Sequence, residues 1–225
     1  TQSGSGRLEG FRIVDRFIIE KGAPYVRVVT RVENTVKDHR LRVLFPTGLE
    51  VDKSFAETPF ALVERDVEPP EETKDWHEKV NPEKAFTTYF GAADNQGGLA
   101  VISGCGLHEY EVTQRPRGTL ALTLLRSFFR TVQTNGEPEG QLQRPLEYEY
   151  LLHPFAASFD PVAAWRLASC NQAKVRWHYS ETLPENRSFA HVEPGDAVVS
   201  ALKPAAWQAG GPITHGVVRL WNPTD

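Results

Sequence analysis

Two pairs of carboxylates offer the sharpest chemistry in these 225 residues. Glu109 and Glu111, and again Glu147 and Glu149, stand two apart. On a strand, residues two apart share a face, with Cα atoms roughly 6.5–7 Å apart. That is near the carboxyl separation used by an inverting glycosidase. Tyrosines interleave with both pairs (Tyr110; Tyr148 and Tyr150), which is also what a strand shows when aromatics face a core and acids face water. The second reading is the better one. Arg126 closes the apolar run Leu120 to Leu125, and His39-Arg40 precedes Leu41 to Phe45. A charge at the mouth of a buried strand either meets a ligand or pairs with a carboxylate at the sheet edge, and the pairing is favoured.

Other chemistries have less support. The seven histidines (His39, His77, His108, His153, His178, His191, His215) show no HxH or HxxxH spacing, so nothing in the sequence argues for a metal held within the chain. Neither Ser3-Gly4-Ser5-Gly6 nor Ser103-Gly104-Cys105-Gly106 is a GxSxG nucleophile elbow. Cys105 and Cys170 lie in no CxxC pattern and read as isolated buried thiols. Asn186-Arg187-Ser188 is a formal glycosylation sequon, informative only in a secretory setting.

The elements that must position these groups are strands. In Tyr25 to Val32, Val26, Val28, Thr30 and Val32 oppose Arg27 and Arg31, the period-two pattern of a half-buried strand. Further strands are expected at Phe11 to Ile19, Leu41 to Phe45, Phe60 to Glu64, Phe86 to Phe90, Leu99 to Ser103, Glu109 to Thr113, Thr119 to Arg126, Leu146 to Leu152, Ser188 to Val192, Ala197 to Leu202 and Gly216 to Leu220. With turns such as Pro46-Thr47-Gly48 and Pro116-Arg117-Gly118, this predicts an all-β fold, a large antiparallel β-sandwich with at most one or two short helices. One helix is expected from Pro161 to about Ala168, capped by Asp160. The Pro-containing stretch 66–83 reads as a long surface loop. Trp76 within it either pins the loop to the body or offers a platform to a sugar or a neighbouring domain. Thr134 to Gln143 and Lys203 to Pro212 read as further loops.

Charge and hydropathy narrow the class. The formal net charge of −4 lacks the basic excess that nucleic-acid binding needs. No apolar run approaches the ~18–20 residues of a membrane span, so the chain reads as soluble. A start at Thr1 with no Met in the sequence reads as a piece of a longer product.

Several segments in collinear order resemble the C-terminal portion of glycoside hydrolase family 38. They are Lys37 through Thr47, Thr58-Pro59-Phe60 with Glu64-Arg65, Gly98 to Val101 with Glu109 to Val112, Leu120 through Ser127, Val199 through Ala205 and Arg219 through Thr224. The resemblance spans roughly residues 34 to 225. It implies a sandwich similar to the galactose-mutarotase-like supersandwich, with residues 1–225 forming part of the C-terminal domain of a larger α-mannosidase. The parent would cleave α-mannosides with retention. Its aspartate nucleophile and His- and Asp-held zinc would lie in an N-terminal α/β barrel of the same polypeptide, so the fragment alone would be inactive and hold no cofactor. The sandwich would pack on that barrel and could reach the rim of the sugar site. The polar residues of the matching segments, His39, Arg40, Glu109 and Arg126, are the substrate-binding candidates, and Trp76 is the candidate carbohydrate platform. The alternatives are a stand-alone carbohydrate-binding module using Trp76, Trp207 or Trp221, and, by fold analogy alone, a sugar epimerase.

Overall fold

A computed structural model describes residues 10–104, 106–113, 117–130, 136–156, 158–173, 179, 191–193, 197–205 and 215–224. The expected strand at Ser188 to Val192, the sequon, Ser3 to Gly6, Cys105, Pro116, His178 and Trp207 fall wholly or in part outside them.

The strands follow in order: β1 (Ile13–Ile19), β2 (Val26–Glu33), β3 (Arg40–Pro46), β4 (Lys53–Thr58), β5 (Ala61–Asp66), β6 (Lys84–Ala85), β7 (Tyr89–Ala93), β8 (Gly97–Ser103), β9 (Glu109–Thr113), β10 (Thr119–Arg126), β11 (Pro145–Ala156), β12 (Val198–Pro204) and β13 (Gly216–Trp221), with helix α1 (Pro161–Gln172) between β11 and β12. A seven-stranded sheet runs β1-β2-β11-β8-β7-β4-β5 and a four-stranded sheet runs β3-β10-β9-β6, while β12 and β13 pair with each other. Every pairing described is antiparallel. The all-β reading with few helices therefore holds.

The core lies between the two larger sheets. Val28, Ala56, Phe90, Val101 and Tyr150 from one meet Tyr110, Val112, Leu120, Leu122 and Leu124 from the other. The rings of Phe90 and Tyr110 stack with centroids 4.4 Å apart. The buried tyrosine hydroxyls need partners in this apolar setting: Tyr110 shares a bond with Ser54 Oγ at 3.1 Å and Tyr150 with Thr30 Oγ1 at 3.1 Å. On the other face of the larger sheet, α1 lays Ala164 and Ala168 against Tyr89, Ile102 and Leu151. Asp160 caps this helix, its Oδ1 accepting from the Ala163 N–H at 2.9 Å, as Pro161 at the first position leads one to expect.

Three local expectations need correction. Phe86 to Phe90 is not one strand: the ladder breaks at 86–88, where the chain crosses from the smaller sheet to the larger. There the Thr88 N–H donates to the Glu57 carboxylate and Thr87 N–H to the Glu57 carbonyl. β4 was not foreseen, because Glu57 occupies a buried position that an alternation count reads as solvent. Cys170 is exposed rather than buried, since α1 turns Val162, Ala164 and Ala168 inward.

Candidate functional site

The antiparallel register of β3 and β10 sets Arg40 directly opposite Arg126 at one end of the smaller sheet. Like charges facing across a ladder repel, and acids from two other elements resolve the conflict. Glu83, at the end of the 66–83 stretch, pairs with Arg40 and lies 3.6 Å from Arg126. Glu109 on β9 accepts from Arg126 Nε at 2.7 Å and from Thr123 Oγ1 at 2.6 Å. Beside them, Arg42 pairs with Glu111. Beneath these ion pairs, the outward-facing Ala121 and Thr123 of β10 are both buried. The Glu109–Glu111 pair is thus neither free in water nor poised for acid–base chemistry; both acids are half-buried and held by arginines. Glu147 and Glu149 are likewise held, by Arg31 and Arg27.

The electrostatics follow from that packing. Burial would raise the Glu109 pKa, but hydrogen bonds from Arg126 and Thr123 and the charges of Arg126 and Arg40 outweigh it and hold the carboxyl below its ordinary range. Burial, with Arg42 and Arg126 nearby, moves Arg40 below the usual arginine value, against the pull of Glu109 and Glu111.

An open cleft of about 740 Å³ begins here, lined by Asp38, His39, Arg40, Arg126, Ser127, Phe128, Phe129 and Arg130. Its walls are tied together. The Ser127 N–H donates to the His39 carbonyl at 2.8 Å. Buried Gln141 links them further, donating from Nε2 to Asp38 Oδ1 and accepting at Oε1 from the Asp38 N–H and from Ser127 Oγ. Asp38 sits at φ 52°, a left-handed conformation that aspartate tolerates better than most residues. The His39 ring lies 5.2 Å from that of Phe11, and both its nitrogens are buried without a hydrogen-bond partner. Phe128 and Phe129 stand partly exposed beside the arginines.

Of the sequence candidates, His39, Arg40 and Arg126 line one cleft and Glu109 braces it through Arg126. Trp76, 56% exposed, follows a 3-10 turn at Glu71–Asp75 and is not among the lining residues. Sequence reasoning missed Glu83, Asp38 and the wall 128–130. Glu83 carries no signal that separates it from the other acids of its stretch, whereas Phe128-Phe129-Arg130, directly after a recognised strand, could have been flagged. Among the described residues no three His, Cys, Asp or Glu side chains gather to hold a metal, so they do not fit the zinc that the resemblance implies. No helix among them is long and apolar enough to cross a membrane.

The model of the glycosyl hydrolases family 38 C-terminal domain matches residues 5–133, more than half the chain and the whole of this cleft. The chain belongs to that family. A curated relative from Halalkalibacterium halodurans, described as "Putative mannosylglycerate hydrolase", is 35% identical over 112 residues, 48% of this chain and 11% of the relative. Among solved structures, an alpha-mannosidase from Enterococcus faecalis V583 superposes with a TM-score of 0.79 at 26% identity, covering 97% of this chain and 24% of that one. A second family 38 protein from Enterococcus faecalis superposes with a TM-score of 0.67 at 24% identity, over 95% of this chain and 24% of that one, a likeness of fold. This family 38 chain therefore spans about a tenth of the curated relative and about a quarter of the solved ones.

Proposed function

We propose that this chain is the non-catalytic C-terminal sandwich of a retaining, zinc-dependent α-mannosidase-type glycoside hydrolase. It packs on the catalytic barrel of the same polypeptide and sets the cleft at Arg40 and Arg126 on the rim of the sugar site. The zinc and the nucleophile belong to the barrel. The observation that carries this reading is the convergence of His39, Arg40 and Arg126, from separate parts of the sequence, on one cleft within the region matched to the family. There the guanidinium groups can donate to sugar hydroxyls while Glu83 and Glu109 keep them oriented and their charge balanced, and Phe128 and Phe129 offer ring surface. Residues 66–83 bring Glu83 to the cleft and carry Trp76, which is the proposed platform for a more distant part of the substrate.

The test is steady-state kinetics of the full-length protein on an aryl α-mannoside. Arg126→Ala is expected to raise KM about 10-fold with a smaller change in kcat, the signature of lost binding that is not specific to the transition state. Unchanged constants for both Arg40→Ala and Arg126→Ala would remove the rim role, and hydrolysis by residues 1–225 alone with added zinc would place the chemistry in this chain. The exposure of Trp76 favours a second reading, a stand-alone carbohydrate-binding module. Mannose binding by this chain alone in calorimetry, abolished by Trp76→Ala, would establish it.

A further inference from the structure

The two larger sheets do not end together. β3, the edge of the smaller sheet, lies over β11, where Phe45 meets Tyr150 edge-on with centroids 6.0 Å apart. Beyond β11 the larger sheet continues for two more strands, β2 and then β1, roughly 10 Å at the usual strand spacing. The register pairs Ile13, Asp15, Phe17 and Ile19 with Val32, Thr30, Val28 and Val26. Directly paired residues share a face, and Val28 and Val26 belong to the core between the sheets. β1 therefore turns Ile13, Phe17 and Ile19 toward the core layer, yet they are 44%, 64% and 80% exposed. The polar line from Tyr150 to Thr30 to Asp15, at 3.1 and 2.7 Å, runs out along the same ledge. Among the described residues, β3 pairs with β10 alone, so none of them pairs with the backbone donors and acceptors of its other edge.

We infer that a strand from the longer polypeptide pairs with the free edge of β3, extends the smaller sheet and covers the β1 ledge. Two independent features call for the same occupant: an open hydrogen-bonding edge and, one layer below and just beyond it, an uncovered apolar face. The core-facing Val28, Thr30 and Val32 of β2 are already covered, each 1% exposed, so the side chains of a strand added about 4.8 Å outside β3 have the β1 ledge left to cover, and one strand satisfies both at once. Asp15 sets its chemistry. A carboxylate accepts several hydrogen bonds and the Thr30 hydroxyl supplies one, so the inward residues of the occupant should read apolar, donor-bearing, apolar. Tethering favours a segment of the same polypeptide over a second copy, and the solved relatives carry about three-quarters of their length outside the matched part. The inference rests on the proposal that this chain is one region of a longer hydrolase.

Hydrogen exchange on the full-length protein, resolved within residues 40–46, tests it. In a free edge strand alternate amides point to water and exchange almost as in an open chain; in a paired one every amide is slowed, here by about 100-fold or more. Protection of all the non-proline amides of β3, unchanged over a 100-fold dilution, is the expected result. Phe17→Asp should then speed exchange in residues 13–19, in β3 and in one further segment, the occupant. Alternate fast amides in wild-type β3 would overturn the inference without any variant having to fold, and protection that falls on dilution would overturn it in favour of a second copy. If the full-length protein carries no barrel, the functional proposal fails independently of the exchange result.

Discussion

The outer face of β10 and the inner face of β1 are built from similarly apolar strands and meet opposite fates. Over β10, arginines on β3 and at the end of β10 itself reach acids on β9 and at Glu83, and on that face Ala121 and Thr123 are buried, the result expected where long charged side chains lay their stems along a sheet. Over β1 the described residues supply no such roof, and Phe17 and Ile19 stand open. A sheet face can thus be closed by long charged side chains from neighbouring strands or by another layer of chain. The sequence pattern of a strand does not say which. Breaking each arrangement separately sharpens the contrast.

The largest effect belongs to neither face but to the layer between the sheets. Leu122→Ala empties a fully buried site and is expected to cost about 2–5 kcal/mol in denaturant unfolding. Opening the roof comes next. Arg42 and Glu111 have side chains only 25% and 18% exposed, and Glu111→Ala strands the guanidinium, for a loss of about 1–3 kcal/mol. At the ledge, Phe17→Ala should move the midpoint of this chain alone by less than about 0.5 kcal/mol, as for an ordinary surface site. A loss matching that of Leu122→Ala would show that the ledge is already covered within this chain.

pH separates the roof from the interior by sign. Glu109 is held below its ordinary 4.5, so its bonds contribute fully above that value and are lost as pH falls through the lowered one. Glu57, on the helix side of the larger sheet, is raised above 4.5 by burial, only partly offset by hydrogen bonds from Thr88 and Thr87. Its contribution is present below 4.5 and lost as pH rises through the raised value. In unfolding midpoints at pH 7, Glu109→Gln should be less stable than wild type and Glu57→Gln equal or more stable. Both differences should shrink in acid, that of Glu57→Gln as pH drops toward 4.5 and that of Glu109→Gln only below it.

Strand alternation was readable in the sequence because most strands bury one face against the core, and β9 and β10 were bounded to the residue. β4 was hidden because its buried positions include Ser54 and Glu57, polar groups whose burial depends on Tyr110 of β9 and on Thr88 in the break between β6 and β7. The polar candidates of the cleft could be named one by one, since each stands beside an apolar run. That Arg40 and Arg126 face each other follows from a register with a shift between Thr123 and Leu125, and nothing local encodes it. The choice of Glu83 as their shared counter-ion is fixed by where the 66–83 segment returns to the sheet.

The twelve-residue strand β11 has a consequence for how this chain is made. It lies between β2 and β8, pairing Tyr150 with Val28 on one side and with Ser103 on the other. Until Pro145–Ala156 leaves the ribosome, the β1–β2 hairpin has no place in the larger sheet. Contacts this distant in sequence slow folding, and a hairpin waiting with an open edge and an uncovered apolar face is what aggregation exploits. Synthesis of this region should therefore pass through a vulnerable interval spanning more than a hundred residues, in which a chaperone that shields exposed strands would matter most.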